Sequence, residues 1–194
     1  MGTPYIQDKE LKNAIKELRK IPKGVNGAMA RALNDGLVVC GKVTAKEVSN
    51  EYVIKQGDVR ASFKKYRANS GNLKARLVSR GKGLRLADFP YTPKQTTNRK
   101  RKSGKLYASS TVKVRVKRNE WKKVVHHSPP AFANNGGIFN RKGNKRFPIQ
   151  VMYTVSIPGM VKNPKVSEVA LEKASERAQE RLPHHLERLI GGGK

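Results

Sequence analysis

A single cysteine, Cys40, leaves the chain without an internal disulfide framework and fits a reducing compartment. Set on a helix amid Val38, Val39 and Val43, it reads as a core residue rather than a nucleophile. Hydrophobic runs are short as well. The longest aliphatic stretch is about Leu37–Cys40, far below the roughly 20 residues of a membrane span. Charge begins at Asp8 and Lys9 with no apolar segment behind it, which is not the shape of a signal peptide, so a soluble protein made in the cytosol is expected. Aromatics make up only 6% of residues, and Tyr107 and Trp121 are the nearest to the main basic runs, which gives base stacking along a single strand little to work with.

Acids are scarce where chemistry would need them. Between Lys55 and Lys162 only Asp58, Asp88 and Glu120 occur, too few for the convergent carboxylates of a two-metal nuclease. Neither a G-x-x-x-x-G-K-[ST] phosphate loop nor a nucleophile elbow is present, and Asn134-Asn135-Gly136-Gly137 and Gly143-Asn144 read as hairpin turns. The pairs His126-His127 and His184-His185 put neighbouring rings on different faces, poor geometry for one metal ion. The residues therefore point away from an enzyme, and no cofactor or metal is expected.

What the chain has instead is positive charge, and that charge is placed. The formal net charge is +28, and the stretch from Lys55 to Lys162 holds 27 Lys or Arg residues against its three acids. The flanks, 1–54 and 163–194, are nearly balanced, with 15 basic and 11 acidic residues. Such a concentration opposes compaction by self-repulsion, so a polyanionic partner is expected. The candidate contacts are Lys94, Arg99, Lys100, Arg101, Lys102 and Lys105 in an exposed basic loop over 90–105. Lys113, Arg115 and Lys117 alternate with Val112, Val114 and Val116, which predicts a strand with one apolar and one basic face, its cations about 6.6–6.8 Å apart. Arg141, Lys142, Lys145 and Arg146 complete the set around a turn over 142–145.

The periodicity predicts an α+β fold: N-terminal helices, a central antiparallel sheet carrying the long basic loop, and a C-terminal amphipathic helix. Three regions are expected, helical 1–54, a basic sheet over 55–162 and a helix over 163–194, as one structural domain with helical flanks. An amphipathic helix is expected over 7–20, a break at Pro22 and Gly24, and a longer helix over about Val25–Asn50 whose Gly36 and Gly41 let another backbone pack close. Phe63–Arg67 and Leu73–Ser79 read as strands around the Asn69–Asn72 turn, and 137–141 with 147–157 as a hairpin. Pro158-Gly159 suits a type II turn, and Pro183 is expected to kink or divide the last helix before Gly191–Gly193 ends it.

Several stretches in order carry a family resemblance. They are Ala32-Leu33-Asn34, the run Glu51–Arg60, Asn72–Arg76, Leu84–Phe89, Ala131-Phe132, Gly137–Arg141, Arg146–Ile149, Val155–Pro158 and the terminal amphipathic helix. Together, over about residues 25–190, the chain resembles the minor tail protein Z family of long-tailed bacteriophages, the tail completion proteins. The resemblance implies a structural virion component that acts late in tail assembly at the head-proximal end, in the neck. It implies a homo-oligomeric ring around an axial channel and neighbours such as the tail terminator, connector or tail tube. Contact with packaged double-stranded DNA, residence in the virion, passage through the host cytoplasm during assembly and no membrane partner go with it. No catalytic residue is carried over, and the basic loop over 94–105 has no counterpart in the family pattern. That loop is a candidate for ordering on assembly. The alternative reading of the same charge is a free, sequence-nonspecific nucleic-acid-binding protein of the ribosomal or nucleoid-associated type.

Overall fold

The computed structural model describes residues 22–96, 98–100, 106–108, 111–124, 131–143, 145 and 147–191; the helix expected over 7–20 lies outside them. The described architecture is α+β, with long helices at either end of a run of short antiparallel strands. Helix α1 spans Pro22–Glu51. Pro22 and Gly24, expected in a break, lie inside its first described turn. The chain divides into two compact units.

The first unit takes residues up to Thr44, Phe63–Val78 and Ser167 onward. Strands β1 (Phe63–Tyr66) and β2 (Arg76–Ser79) pair as a two-stranded sheet. Their connection is closed by Asn69, whose Oδ1 accepts from the backbone of Gly71 at 3.1 Å and Asn72 at 2.7 Å. Asn34 of α1 clamps the same connection from outside. Its amide donates to the Ala68 carbonyl at 3.0 Å and accepts from the Ala68 N–H at 2.8 Å, satisfying both groups of a buried residue. The last helix of the fold, Pro164–Gly191, runs antiparallel to α1: Ala28 is buried with Leu186, and Gly36 faces Ala174 and Ala178. It continues through Pro183, expected to kink or divide it.

The second unit takes Ala45–Ser62 and Ser79–Val166. It contains helix α2 (Gln56–Ala61) and the strands β3 (Gly83–Arg85), β4 (Tyr91–Thr92), β5 (Asn98–Lys100), β6 (Leu106–Ala108), β7 (Lys113–Val114), β8 (Lys122–Lys123), β9 (Phe132–Asn134), β10 (Gly137–Arg141), β11 (Ile149–Val151) and β12 (Tyr153–Ser156). They form small sheets, not one continuous sheet: β11-β10-β9, β4-β7-β8, β12-β3 and β5-β6. Asn135 and Gly136 both have positive φ, at 44° and 78°, and make the two-residue turn of the β9–β10 hairpin. The expected β10–β11 hairpin is present, with Arg141 opposite Ile149. Two expectations need correction. The stretch over 90–105 is not one long loop, because β4 and β5 lie inside it and β5 pairs with β6. Pro158-Gly159 makes no type II turn; it opens helix α3 (Ile157–Val161), whose N-cap Ser156 accepts from the Gly159 N–H at 3.3 Å. Helix α4 is the Pro164–Gly191 helix already met. Ile138, Met160, Val48, Val59, Val112 and Val166 are the largest fully buried side chains of this unit. No described helix is long and apolar enough to cross a membrane.

Candidate functional site

The alternation at 112–117 builds the centre of the basic region. Val112 and Val114 are buried, so the intervening Lys113 is turned outward. Backbone bonds hold the segment on both sides: Arg115 N–H donates to the Pro90 carbonyl at 2.9 Å, Val53 N–H to Val116 at 2.8 Å and Arg118 N–H to Glu51 at 3.0 Å. In the β4-β7-β8 sheet, Lys113 lies directly opposite Lys123 on one side and Thr92 on the other, while Val114 faces Lys122 and Tyr91. Directly opposed residues share a face, so two exposed ammonium groups stand side by side on a rigid platform. Neither has a carboxylate partner among the described residues. Lys122 and Lys123 were not among the sequence candidates; the two-residue strand that holds them has no periodicity of its own to announce it.

The other cations of that segment are engaged. Lys117 pairs with Glu51 at 3.2 Å, and hydrogen bonding to that carboxylate raises the pKa of the lysine above its ordinary value. The three-cation face expected at 113, 115 and 117 is thereby reduced, because the acid that answers Lys117 comes from the end of α1, far away in sequence. Arg115 is half-buried, with its guanidinium 5.4 Å from the Trp121 ring and its buried Nε without a hydrogen-bond partner among the described residues.

Aromatic rings carry more of the cations than the composition suggests. Lys94 places its Nζ 3.8 Å from the Tyr91 ring, and Arg141 lies 4.6 Å over Phe132. In the other unit, Lys64 and Arg76 sit 5.4 and 5.2 Å from Tyr66. Each pair joins residues two to ten apart, a signal readable only once the turns are known. Thr96 bonds through both backbone and hydroxyl to Ala133, at 3.0 and 3.2 Å, fixing the segment after Lys94 against β9.

Among the remaining candidates, Arg99 and Lys100 lie on β5, opposite Tyr107 and Leu106. Lys142 and Lys145 are exposed near the β10–β11 connection. Arg101, Lys102, Lys105 and Arg146 lie outside the described residues. No group of three or more His, Cys, Asp or Glu side chains among the described residues is placed to hold a metal ion. Cys40 is half-buried, not fully in the core as expected, and burial pushes its thiol above the ordinary value against the opposing hydrogen bond of Thr44. A thiol so held is a poor nucleophile.

The family model of prophage minor tail protein Z (GPZ) matches residues 9–191 of the chain. No curated protein and no solved structure gives a significant match.

Proposed function

We propose that this chain, which belongs to the prophage minor tail protein Z family, completes the phage tail at the end that joins the capsid. Membership makes it a structural minor tail protein whose place is the virion and whose partners are other tail proteins. The reading goes further in four respects. The chain works without catalysis. It assembles as a homo-oligomeric ring, made in the host cytoplasm, beside neighbours such as the tail terminator, connector or tail tube. Its basic strands face a polyanion, either packaged double-stranded DNA in the channel or an acidic rim of the adjoining ring. The candidate contacts are Lys94, Arg99–Lys102, Lys105, Lys113, Arg115, Arg141, Lys142, Lys145 and Arg146, with Lys123 added by its register.

The observation that carries this reading is the exposed Lys113–Lys123 pair, directly opposed across β7 and β8 in a stretch with 27 basic residues and three acids. Two like charges so placed destabilise the isolated sheet, and phosphate or carboxylate between them relieves the repulsion. The test is complementation of a phage lacking this gene product. Replacing Arg99, Lys100, Arg101 and Lys102 together, or Lys113 and Lys123 together, by glutamine is expected to leave the purified chain folded by circular dichroism and to lower the yield of DNA-filled, tailed particles. Normal infectious yield from both variants overturns the polyanion contact. Normal tails that lose DNA identify DNA as the anion, whereas tails that fail to join heads identify a protein rim.

A further inference from the structure

The second unit holds a largely apolar cleft of about 370 Å³ beside the basic strands. Leu86 and Val114, both buried, line it together with Tyr153 and Val155, which are 61% and 49% exposed. Lysines stand at its edge: Lys117 and Lys122, with Lys123 beside them. Glu120 also lies there, engaged by Lys122 at 3.4 Å, and Glu51 answers Lys117 at 3.2 Å. Both ion pairs are partly exposed and therefore weak and exchangeable. The edge keeps a net positive charge around an apolar interior, which fits an apolar side chain flanked by carboxylates.

The chain itself carries such a group. On helix α4, Glu168, Leu171, Glu172 and Ser175 follow the i, i+3, i+4, i+7 spacing of one helix face, and all four are exposed. Leu171 is 64% exposed, the most exposed aliphatic side chain among the described residues. Neither Glu168 nor Glu172 holds a salt bridge among the described residues, while the next acids along, Glu176 and Glu180, are taken by Lys173 and Arg177 at 2.8 Å.

We infer that the cleft receives Leu171 of a second copy of this chain, with Glu168 and Glu172 of that copy set against Lys117 and Lys122. Knob and cleft are built from different residues, so the contact is head-to-tail, and its repetition generates a closed ring or an open filament. The inference rests on the self-assembling ring proposed above and supplies that ring with its interface. It is tested apart from the DNA contact by variants that leave Lys113 and Lys123 in place.

The experiment is analytical ultracentrifugation of the full nuclease-treated chain over a range of concentrations, with circular dichroism to verify folding. The parent is expected to self-associate, and Leu171→Glu to sediment as a monomer. Lys122→Glu and Glu172→Lys are each expected to weaken association by on the order of tenfold or more, since like charges then meet at the contact. The Lys122→Glu/Glu172→Lys double variant is expected to recover most of the loss, a coupling that mere surface damage does not produce. A parent that stays monomeric at every concentration overturns the inference, and so does a double variant no better than either single one. Association unchanged in Leu171→Glu overturns Leu171 as the occupant of the cleft. None of these variants alters Lys113 or Lys123, so complementation and DNA binding report on the polyanion reading independently.

Discussion

Gly36 and Gly41 lie five residues apart on α1 yet have opposite consequences for substitution. A methyl group at Gly36 would meet the Ala174 carbonyl oxygen at 2.6 Å and the Ala178 Cβ at 3.3 Å, and the first of these is backbone that cannot swing away. At Gly41 the nearest atoms are at 3.7 Å or beyond, ordinary contact with side chains of Lys65, Leu77 and Phe63. Gly36→Ala is therefore expected to destabilise by about 1–3 kcal/mol through overpacking. Gly41→Ala should stabilise by about 0.5–1 kcal/mol through helix propensity and reduced unfolded-state entropy. Urea unfolding of the two variants beside the parent checks both signs. Two glycines inside a helical pattern already signal close backbone approach in the sequence; which of them is indispensable depends on α4, 138 or more residues away, and is not legible there. The same holds for Asp35, which accepts from His185 Nε2 at 2.9 Å and Arg181 Nε at 3.4 Å. Burial pushes the Asp35 carboxyl up, but the hydrogen bonds and charges of His185 and Arg181 outweigh it and hold the carboxyl below its ordinary 3.8. A depressed carboxyl stabilises the fold above its unfolded value and loses that contribution as the pH falls through the folded one. Asp35→Asn is thus expected to lower the melting temperature at neutral pH, with the gap to the parent narrowing below about pH 3.8. A gap independent of pH across that window would remove the charged carboxylate from the account.

At the scale of elements, the strand expected at 112–117 is present only as Lys113–Val114; the alternation of valine with lysine or arginine marked its centre, where Val112 and Val114 are buried, while Val116 is half-buried. Its partners were not so marked, since pairing with Tyr91–Thr92 and Lys122–Lys123 is a matter of register between segments too short to show a period. Proline was the other source of misreading. Pro22 was expected in a break and Pro158 in a turn, yet Pro22 lies in the first described turn of α1 and Pro158 in the first turn of α3, where no hydrogen bond is lost; Pro183 lies within α4, which it does not divide. Fragments that signalled the family turn out to be architectural: Asn34 closes the β1–β2 connection, Ile138 is fully buried, and Gly137 leaves room for the Phe139 ring, 2.3 Å from where a Cβ would stand. The Lys113–Lys123 register carries the prediction at this scale. Lys123→Glu turns a repulsive cross-strand pair into an attractive one, so the free protein is expected to gain about 1–2 °C in melting temperature. The same change should weaken capture of duplex DNA. Stability and binding moving together would show that the pair is not held in repulsion for a partner.

For the whole molecule, the division of charge is the property from which assembly follows. Acids and bases nearly cancel in the flanks, while 55–162 is almost purely cationic, so the flanks can meet like copies without strong repulsion and the middle cannot. An exposed leucine between two glutamates that hold no salt bridge among the described residues, and an apolar cleft edged by lysines, would on the inference above give the copies a directional contact, with the Lys113 face left for the polyanion. Binding of that kind is driven by counterion release and must respond steeply to salt. If about six phosphates are neutralised, affinity for duplex DNA should fall by on the order of 10³-fold between 50 and 200 mM salt. Replacing Lys113 and Lys123 by glutamine removes two of those contacts, so the logarithmic salt slope should become shallower by about 1.8. Fluorescence anisotropy with a labelled duplex at several salt concentrations measures both quantities. A slope identical in the parent and the variant would take those two lysines off the DNA and leave the anion to be found among the neighbouring proteins of the tail.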